Sequence, residues 1–264
     1  MEDLNGIHSV QVERPASHIG LIRLNRPEAR NALTFESWRG IEAALHLFCG
    51  EADIRAIIIA GAGDFFSAGG DVKSLPAEGF RATAPAERVA LGHRVITAIR
   101  TASVPVIAAV EGAAVGAGWS LALACDLIVA SRTARFAAPF VKLGVVPDGG
   151  IAWFLTQRLG RHCASALLLS DTALGAENAL ALGLVNQLAE PGQAEADTIA
   201  LIGSLHSHVP QAVELTKALI DRAETEDLQS FMRAELLSAT LTQLGSEAQD
   251  ARTQAARNRK DQNS

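Results

Sequence analysis

The chain has 264 residues, 48% of them hydrophobic and 20% charged, with a formal net charge of −6. This balance fits a soluble globular protein of one large domain or two small ones. The absence of a basic tract argues against nucleic acid, although local Arg and Lys still allow an anionic small ligand. No apolar run reaches membrane-spanning length, and no apolar signal region stands at the N-terminus, so no membrane partner is expected and the expected location is cytoplasmic. Cys49, Cys125 and Cys163 are few, odd in number and widely spaced. They form no metal-ligand pattern and are expected to be free thiols in a reducing compartment, with no metal bound. Tyrosine is absent, so no phenolic acid or phenolic donor is available.

Alternating patterns over 7–14 and 18–24 predict two strands around a turn at Pro15–His18. Thr34 is an N-cap candidate for a helix over 35–49. A buried strand is expected over 54–60, a mobile loop over 74–84 and a helix over 86–101. A strand over 105–110 follows, then a glycine turn and a helix over 118–124. A strand at 126–130, a short extended piece at 135–138 and helices over 151–159 and 162–170 come next. Further helices are expected at 176–182, 194–207, 210–223 and 227–256, with a short strand at 184–189. The polar tail from Asn258 is expected to fray. The front of the chain is mixed strand and helix, the back nearly all helix, and no internal repeat is visible.

Two turns carry the chemical signal. The apolar run ending at Val110 gives way to Gly112, Gly116 and Gly118, and a helical pattern starts at once. Unpaired N–H groups at such a helix start suit a negative oxygen. The turn lacks the Lys and Ser/Thr of a phosphate loop and the spacing of a dinucleotide fingerprint, so a developing oxyanion is the better match. The strand over 54–60 likewise leads into Gly61–Lys73, where Gly69-Gly70 permits close backbone approach to a ligand. Together the turns offer two converging donors; singly, each is equally well read as ordinary turn chemistry.

These residues closely resemble the crotonase, or enoyl-CoA hydratase/isomerase, superfamily. The matching pieces are Leu24–Leu33, Phe66–Lys73, Pro105–Asp126, Leu143–Gly150 and Ala181–Val185, in the family's order and spacing. The resemblance implies an α/β fold, a spiral of ββα units over 1–195, followed by a helical trimerisation region over 196–264. It implies an acyl-CoA substrate, with coenzyme A as part of the substrate and no permanently bound cofactor. The thioester oxygen would sit between the N–H groups of Gly70 and Ala117. Arg26, Ala68, Asp71 and Val72 would lie near the adenine and pantetheine. Arg30 and Lys73 would reach phosphate, or else be solvated surface charges. A homotrimer or a dimer of trimers is expected, and Leu228, Phe231, Leu236, Leu237, Leu241 and Leu244 exceed what a lone terminal helix needs.

The chain departs from the hydratase pattern at two positions. Hydratases of this family position water with two glutamates; the matching residues here are Ser120 and Phe140. Neither serves as an acid or base near neutral pH. One carboxylate remains, Asp148 in Val146-Pro-Asp-Gly-Gly150. This resembles the family's single-acid isomerases, including the ring-1,2-epoxyphenylacetyl-CoA isomerase type. Asp148 also suits a helix N-cap. The expected activity is an acyl-CoA double-bond shift, in fatty acid or aromatic breakdown. The alternatives are an enoyl-CoA hydratase, a CoA-thioester or ring-opening hydrolase, and a non-catalytic acyl-CoA binding protein. His93 is an alternative base, and Trp119, Phe140, Trp153 and Phe154 are candidates for the acyl pocket or for the core. Asp71 and Asp126 are expected to hold turns and strand ends, and His206 and His208 to be loop histidines.

Overall fold

The computed structural model describes residues 7–71, 73, 82–170, 172–205 and 208–261. Most of the loop expected over 74–84 lies outside the described residues. The chain divides into two compact units, Met1–Gly203 and Ser204–Ser264.

The first unit is built on a six-stranded sheet. Its strands are β1 (Val10–Ala16), β2 (Ile19–Leu24), β3 (Ala56–Gly61), β4 (Val106–Val110), β6 (Leu127–Ser131) and β9 (Gln187–Ala189), in that spatial order. β1 pairs antiparallel with β2, and every other pairing in this sheet is parallel. A second sheet holds β5 (Ala113–Val115), β7 (Arg135–Ala137) and β8 (Leu174–Gly175). β5 and β8 were not expected from the sequence, because strands of three and two residues carry no readable alternation.

The connections show the repeating unit. β4 in the large sheet is followed by β5 in the small one and then by helix α3 (Ala117–Ala124). β6, β7 and helix α4 (Ile151–Leu169) repeat the pattern. Single bridges, Ser67 with Ala114 and Leu33 with Gly70, extend the same ladder to the turns after β3 and β2. Helices α2 (Ala84–Arg100) and α1 (Phe35–Cys49) complete those two units. The result is a spiral of ββα units, as the resemblance implies.

The central strands are buried on both faces, which explains their near-continuous apolar runs. Ile57, Ile59, Val106, Ala108 and Val110 face one core, shared with Trp38, Ile41 and Phe48 of α1. The alternate residues Ile58, Ala60, Ile107 and Ala109 face a second core with Ala194 and Ile202 of α6 (Ala194–Leu205). Most of α6, up to Gly203, therefore belongs to the first unit. Two polar links fix its start: the Ala194 N–H donates to the Glu111 carboxylate at 2.9 Å, and Glu195 pairs with Arg23 at 2.7 Å. Arg23 also pairs with Glu13 at 2.6 Å, which holds the Glu13 carboxyl below its usual range.

Helix α1 starts where expected. Thr34 and Ser37 form a reciprocal capping box, each side chain accepting the other's backbone N–H. α4 joins the two helices expected over 151–159 and 162–170, kinked at Gly160. In the second unit, α7 (Pro210–Ala223), α8 (Leu228–Leu244) and α9 (Ser246–Asp261) follow one another. The expected single helix over 227–256 is broken at Gly245, whose backbone is extended and whose entropy disfavours helix. α9 runs to Asp261, past the point where the tail was expected to fray; its Ala, Arg and Lys residues favour helix despite their polarity.

Phe48 is fully buried, and a Cβ built on Gly20 would lie 2.6 Å from its ring. Phe48→Ala is expected to cost about 3–5 kcal/mol, measured by chemical denaturation. A loss below about 1 kcal/mol would mean that strand and helix are not packed this closely.

Candidate active site

The site grows from the corners between the two sheets. The turn after β3 runs from Phe66 to Asp71, beside the turn between β5 and α3. Gly69 has φ +95°, a conformation that disfavours side chains. A Cβ there would lie 2.7 Å from the Val115 carbonyl oxygen and 3.5 Å from the Ala117 nitrogen. The two turns are thus in contact, and glycine is required for the approach.

The direction of the two N–H groups follows from their peptide planes. A trans peptide points its N–H opposite to its carbonyl. The Gly69 carbonyl accepts the Leu33 N–H at 2.7 Å, so the Gly70 N–H points away from that ladder. The Gly116 carbonyl accepts the Ser120 N–H at 3.0 Å, so the Ala117 N–H points out of the α3 N-terminus. Neither the Gly70 nor the Ala117 N–H has an acceptor among the described residues. Orphan donors of this kind are the usual state of a helix start, and here they stand beside a second loop.

Asp148 lies on the turn before α4. It does not cap that helix, whose N-cap is Gly150 with no side-chain hydrogen bond. The capping role weighed from the sequence is therefore not what the structure displays. Instead, Asp148 Oδ1 is buried and has no hydrogen-bond partner among the described residues. Burial pushes its carboxyl above the ordinary carboxylate range, against the opposing pull of Arg88 and His93 from α2. Arg88 also donates to the Asp71 carbonyl at 3.2 Å, which ties α2 to the Gly70 turn. His93 is exposed on the same helix.

Ser120 braces the Asp148 turn, and Phe140 packs beside Gly116. Ser120 is fully buried, and its Oγ donates to the Asp148 carbonyl at 2.9 Å. Gly149 has φ +62°, and a Cβ there would stand 2.7 Å from Ser120 Cβ. The space beside Ser120 is thus filled by the Asp148–Gly149 turn. Phe140 is buried, with its ring edge 3.7 Å from where a Cβ on Gly116 would lie.

The other expected substrate contacts fall into two groups. Arg26 and Asp71 pair at 3.0 Å, and Arg26 also donates to the Ala32 carbonyl at 2.8 Å. Both hold the loop rather than stand open. The Ala68 N–H donates to the Arg30 carbonyl at 2.8 Å. Arg30 is exposed, with its guanidinium 5.7 Å from the centre of the Phe65 ring, and Lys73 is exposed. Val72 lies outside the described residues, as does His206. Asp126 accepts the Val106 N–H at 2.7 Å and holds a strand end, as expected. Trp119 is a core residue beside Phe136, and Phe154 is buried between Arg100 and Arg158. Trp153 is partly exposed. No group of three His, Cys, Asp or Glu is placed to hold a metal among the described residues. Among the same residues, no helix is long and apolar enough to cross a membrane.

Sequence reasoning missed Asn31, Ser67 and Arg88. Asn31 is buried with φ +54°; its Oδ1 accepts the Arg26 N–H, and its Nδ2 donates to the Ala62 and Phe65 carbonyls. Its place inside the Leu24–Leu33 motif was the available signal. Arg88 had none, because one arginine on a helix is unremarkable in sequence.

The enoyl-CoA hydratase/isomerase family model matches residues 14–260. The chain belongs to this family. It is 34% identical to a probable enoyl-CoA hydratase of Rhizobium meliloti, over 82% of this chain and 83% of that protein. It is 30% identical to a short-chain-enoyl-CoA hydratase of Clostridium acetobutylicum, over 82% and 83%. A solved structure of a probable enoyl-CoA hydratase/isomerase from Mycobacterium abscessus superposes with a TM-score of 0.88 at 31% identity, covering 95% of this chain and 96% of that one. These neighbours share the crotonase fold.

The elevated Asp148 has a consequence for stability. Its carboxyl is harder to ionise folded than unfolded, so ionisation opposes folding. The cost is absent below the ordinary aspartate value, grows as pH rises through the raised native value, and is complete above it. Asp148→Asn is therefore expected to melt higher than the unmodified protein at pH 7, with the gap closing as pH falls toward 4. Parallel thermal melts check this; a variant less stable at pH 7 would mean that the carboxylate has a stabilising partner.

Proposed function

We propose that this protein is a cytosolic acyl-CoA isomerase, shifting a double bond by enolate chemistry with Asp148 as its single acid–base group. One observation supports the reading: Asp148 Oδ1 is buried and unpartnered among the described residues, while Ser120 and Phe140 stand at the two positions that the resemblance matches to the hydratases' glutamates.

In this reading the thioester oxygen of the substrate lies between the N–H groups of Gly70 and Ala117. Those donors stabilise the negative charge that develops as a proton leaves the α-carbon of a 3-enoyl thioester. The Asp148 carboxylate takes that proton, the electron pair delocalises into a dienolate, and the same carboxyl returns the proton to the γ-carbon. No atom is gained or lost, and one carboxyl suffices. Burial raises the proton affinity of Asp148, which suits removal of a weakly acidic carbon proton. Arg30 and Lys73, both exposed, are the candidate partners for CoA phosphates, and Ala68 and Val72 for its adenine and pantetheine.

Hydration is the second reading, favoured by the names of the relatives. It needs a group to hold and split water, and Ser120 offers only a hydroxyl already donated to the Asp148 carbonyl. Asp148→Asn is expected to lower isomerisation of a trans-3-enoyl-CoA by about 10²–10⁴-fold while leaving CoA affinity within a few-fold. Retained isomerase activity in that variant would eliminate Asp148 and turn attention to His93. Rapid hydration of crotonyl-CoA by the unmodified protein would overturn the isomerase assignment.

The proposed assembly is a homotrimer or a dimer of trimers. Leu228, Met232, Leu236, Leu237, Leu241 and Leu244 are all exposed on α8. That much apolar surface on one helix calls for a covering partner. Sedimentation at micromolar concentration is expected to give a trimer or hexamer, and a stable monomer would refute the assembly.

A further inference from the structure

We infer that Ser67 is a positioning residue, whose buried hydroxyl sets the spacing between the Gly70 and Ala117 N–H groups. The inference rests on the oxyanion reading above.

Ser67 is fully buried and stands where three segments meet. Its Oγ donates to the Asn31 carbonyl at 2.9 Å and accepts the Gly69 N–H at 3.1 Å. One hydroxyl thus ties the 26–33 loop to the residue preceding Gly70. Its backbone joins the second turn: the Ser67 N–H donates to the Ala113 carbonyl at 3.0 Å, and the Val115 N–H donates to the Ser67 carbonyl at 2.9 Å. On its other side lies α3. A Cβ on Gly118 would meet Ser67 Cβ at 2.6 Å and Oγ at 2.8 Å. Ser67 therefore touches the chain immediately before one donor and the chain on both sides of the other.

The hydroxyl acts on direction as well as distance. With the Gly69 N–H held by Ser67 and the Gly69 carbonyl held by Leu33, the residue before Gly70 is fixed on both sides. Gly69 has no side chain to resist rotation and adopts φ +95°. Without the Ser67 acceptor, its N–H is a buried donor with no partner, and the peptide gains an incentive to turn. Rotation there swings the Gly70 N–H out of line with that of Ala117. Substrate affinity is expected to survive, because the thioester oxygen contributes little to ground-state binding, whereas transition-state stabilisation depends on donor alignment.

The test uses the full-length protein and two readouts. Steady-state kinetics on a trans-3-enoyl-CoA separates kcat from KM. The absorption band of bound 4-dimethylaminocinnamoyl-CoA reports polarisation of the thioester carbonyl by its donors. Ser67→Ala is expected to lower kcat about 10–100-fold with KM changed less than about threefold, and to lose most of the red shift. Ser67→Cys, with a weak donor and acceptor in the same place, is expected to fall between the two. Ser37→Ala, which removes a buried hydroxyl from the α1 capping box, is the control for lost stability alone and is expected to keep both readouts. Ser67→Ala with unchanged kcat and an unshifted spectrum relative to the unmodified protein overturns the inference. If Ser67→Ala shows no cooperative melt, Ser67→Cys decides on the same two readouts. A missing red shift in the unmodified protein would instead sink the oxyanion reading itself, a result distinct from failure of the Ser67 role alone.

Discussion

A planar trans peptide points its N–H away from its carbonyl, and this fold claims the carbonyl at both critical peptides. The Leu33 N–H takes the Gly69 oxygen, and the Ser120 N–H takes the Gly116 oxygen. The Gly70 and Ala117 N–H groups are left pointing outward from the scaffold. Their lack of an acceptor among the described residues is therefore a by-product of ladder and helix hydrogen bonding. Both N–H groups belong to the backbone, so the proposed donor role makes no demand on the side chain at 70 or 117.

Holding two loops in contact has required polar groups to be consumed internally. Arg26 and Asp71, both candidates for substrate contact, pair with each other across the 26–33 and 66–71 segments. Asn31 closes the same corner with three hydrogen bonds from one side chain. These bonds satisfy backbone groups that would otherwise be buried without partners. Among the described residues of these segments, Arg30 and Lys73 are exposed, as is the acid Glu28.

Asp148 is the opposite case. It is half-buried, with its Oδ1 buried and unsatisfied among the described residues, an arrangement that costs stability. Arg88 and His93 soften the cost without forming a direct pair, and the carboxyl keeps a raised proton affinity. Ser120 fixes the turn through the Asp148 carbonyl, leaving the carboxyl itself free of that bond. Ser120 is thus a brace for the Asp148 turn.

Sequence alone determined the order of strands and helices, because buried parallel strands read as apolar runs and Thr34 announces a helix start. It also determined the family, and which positions lack a glutamate. It did not determine β5 and β8, which are too short for any periodicity, nor the helix break at Gly245. It left Asp148 open between cap and acid; only the structure showed the helix starting at Gly150 and the carboxylate left over. The tertiary structure paired Arg26 with Asp71, took Trp119 into the core and brought Ser67, Asn31 and Arg88 to the candidate site. The reason is physical: periodicity and turn chemistry are local along the chain, whereas burial, hydrogen-bond partners and charge neighbours depend on segments distant in sequence, such as Ser120 and Asp148 or Arg26 and Asp71, meeting in space.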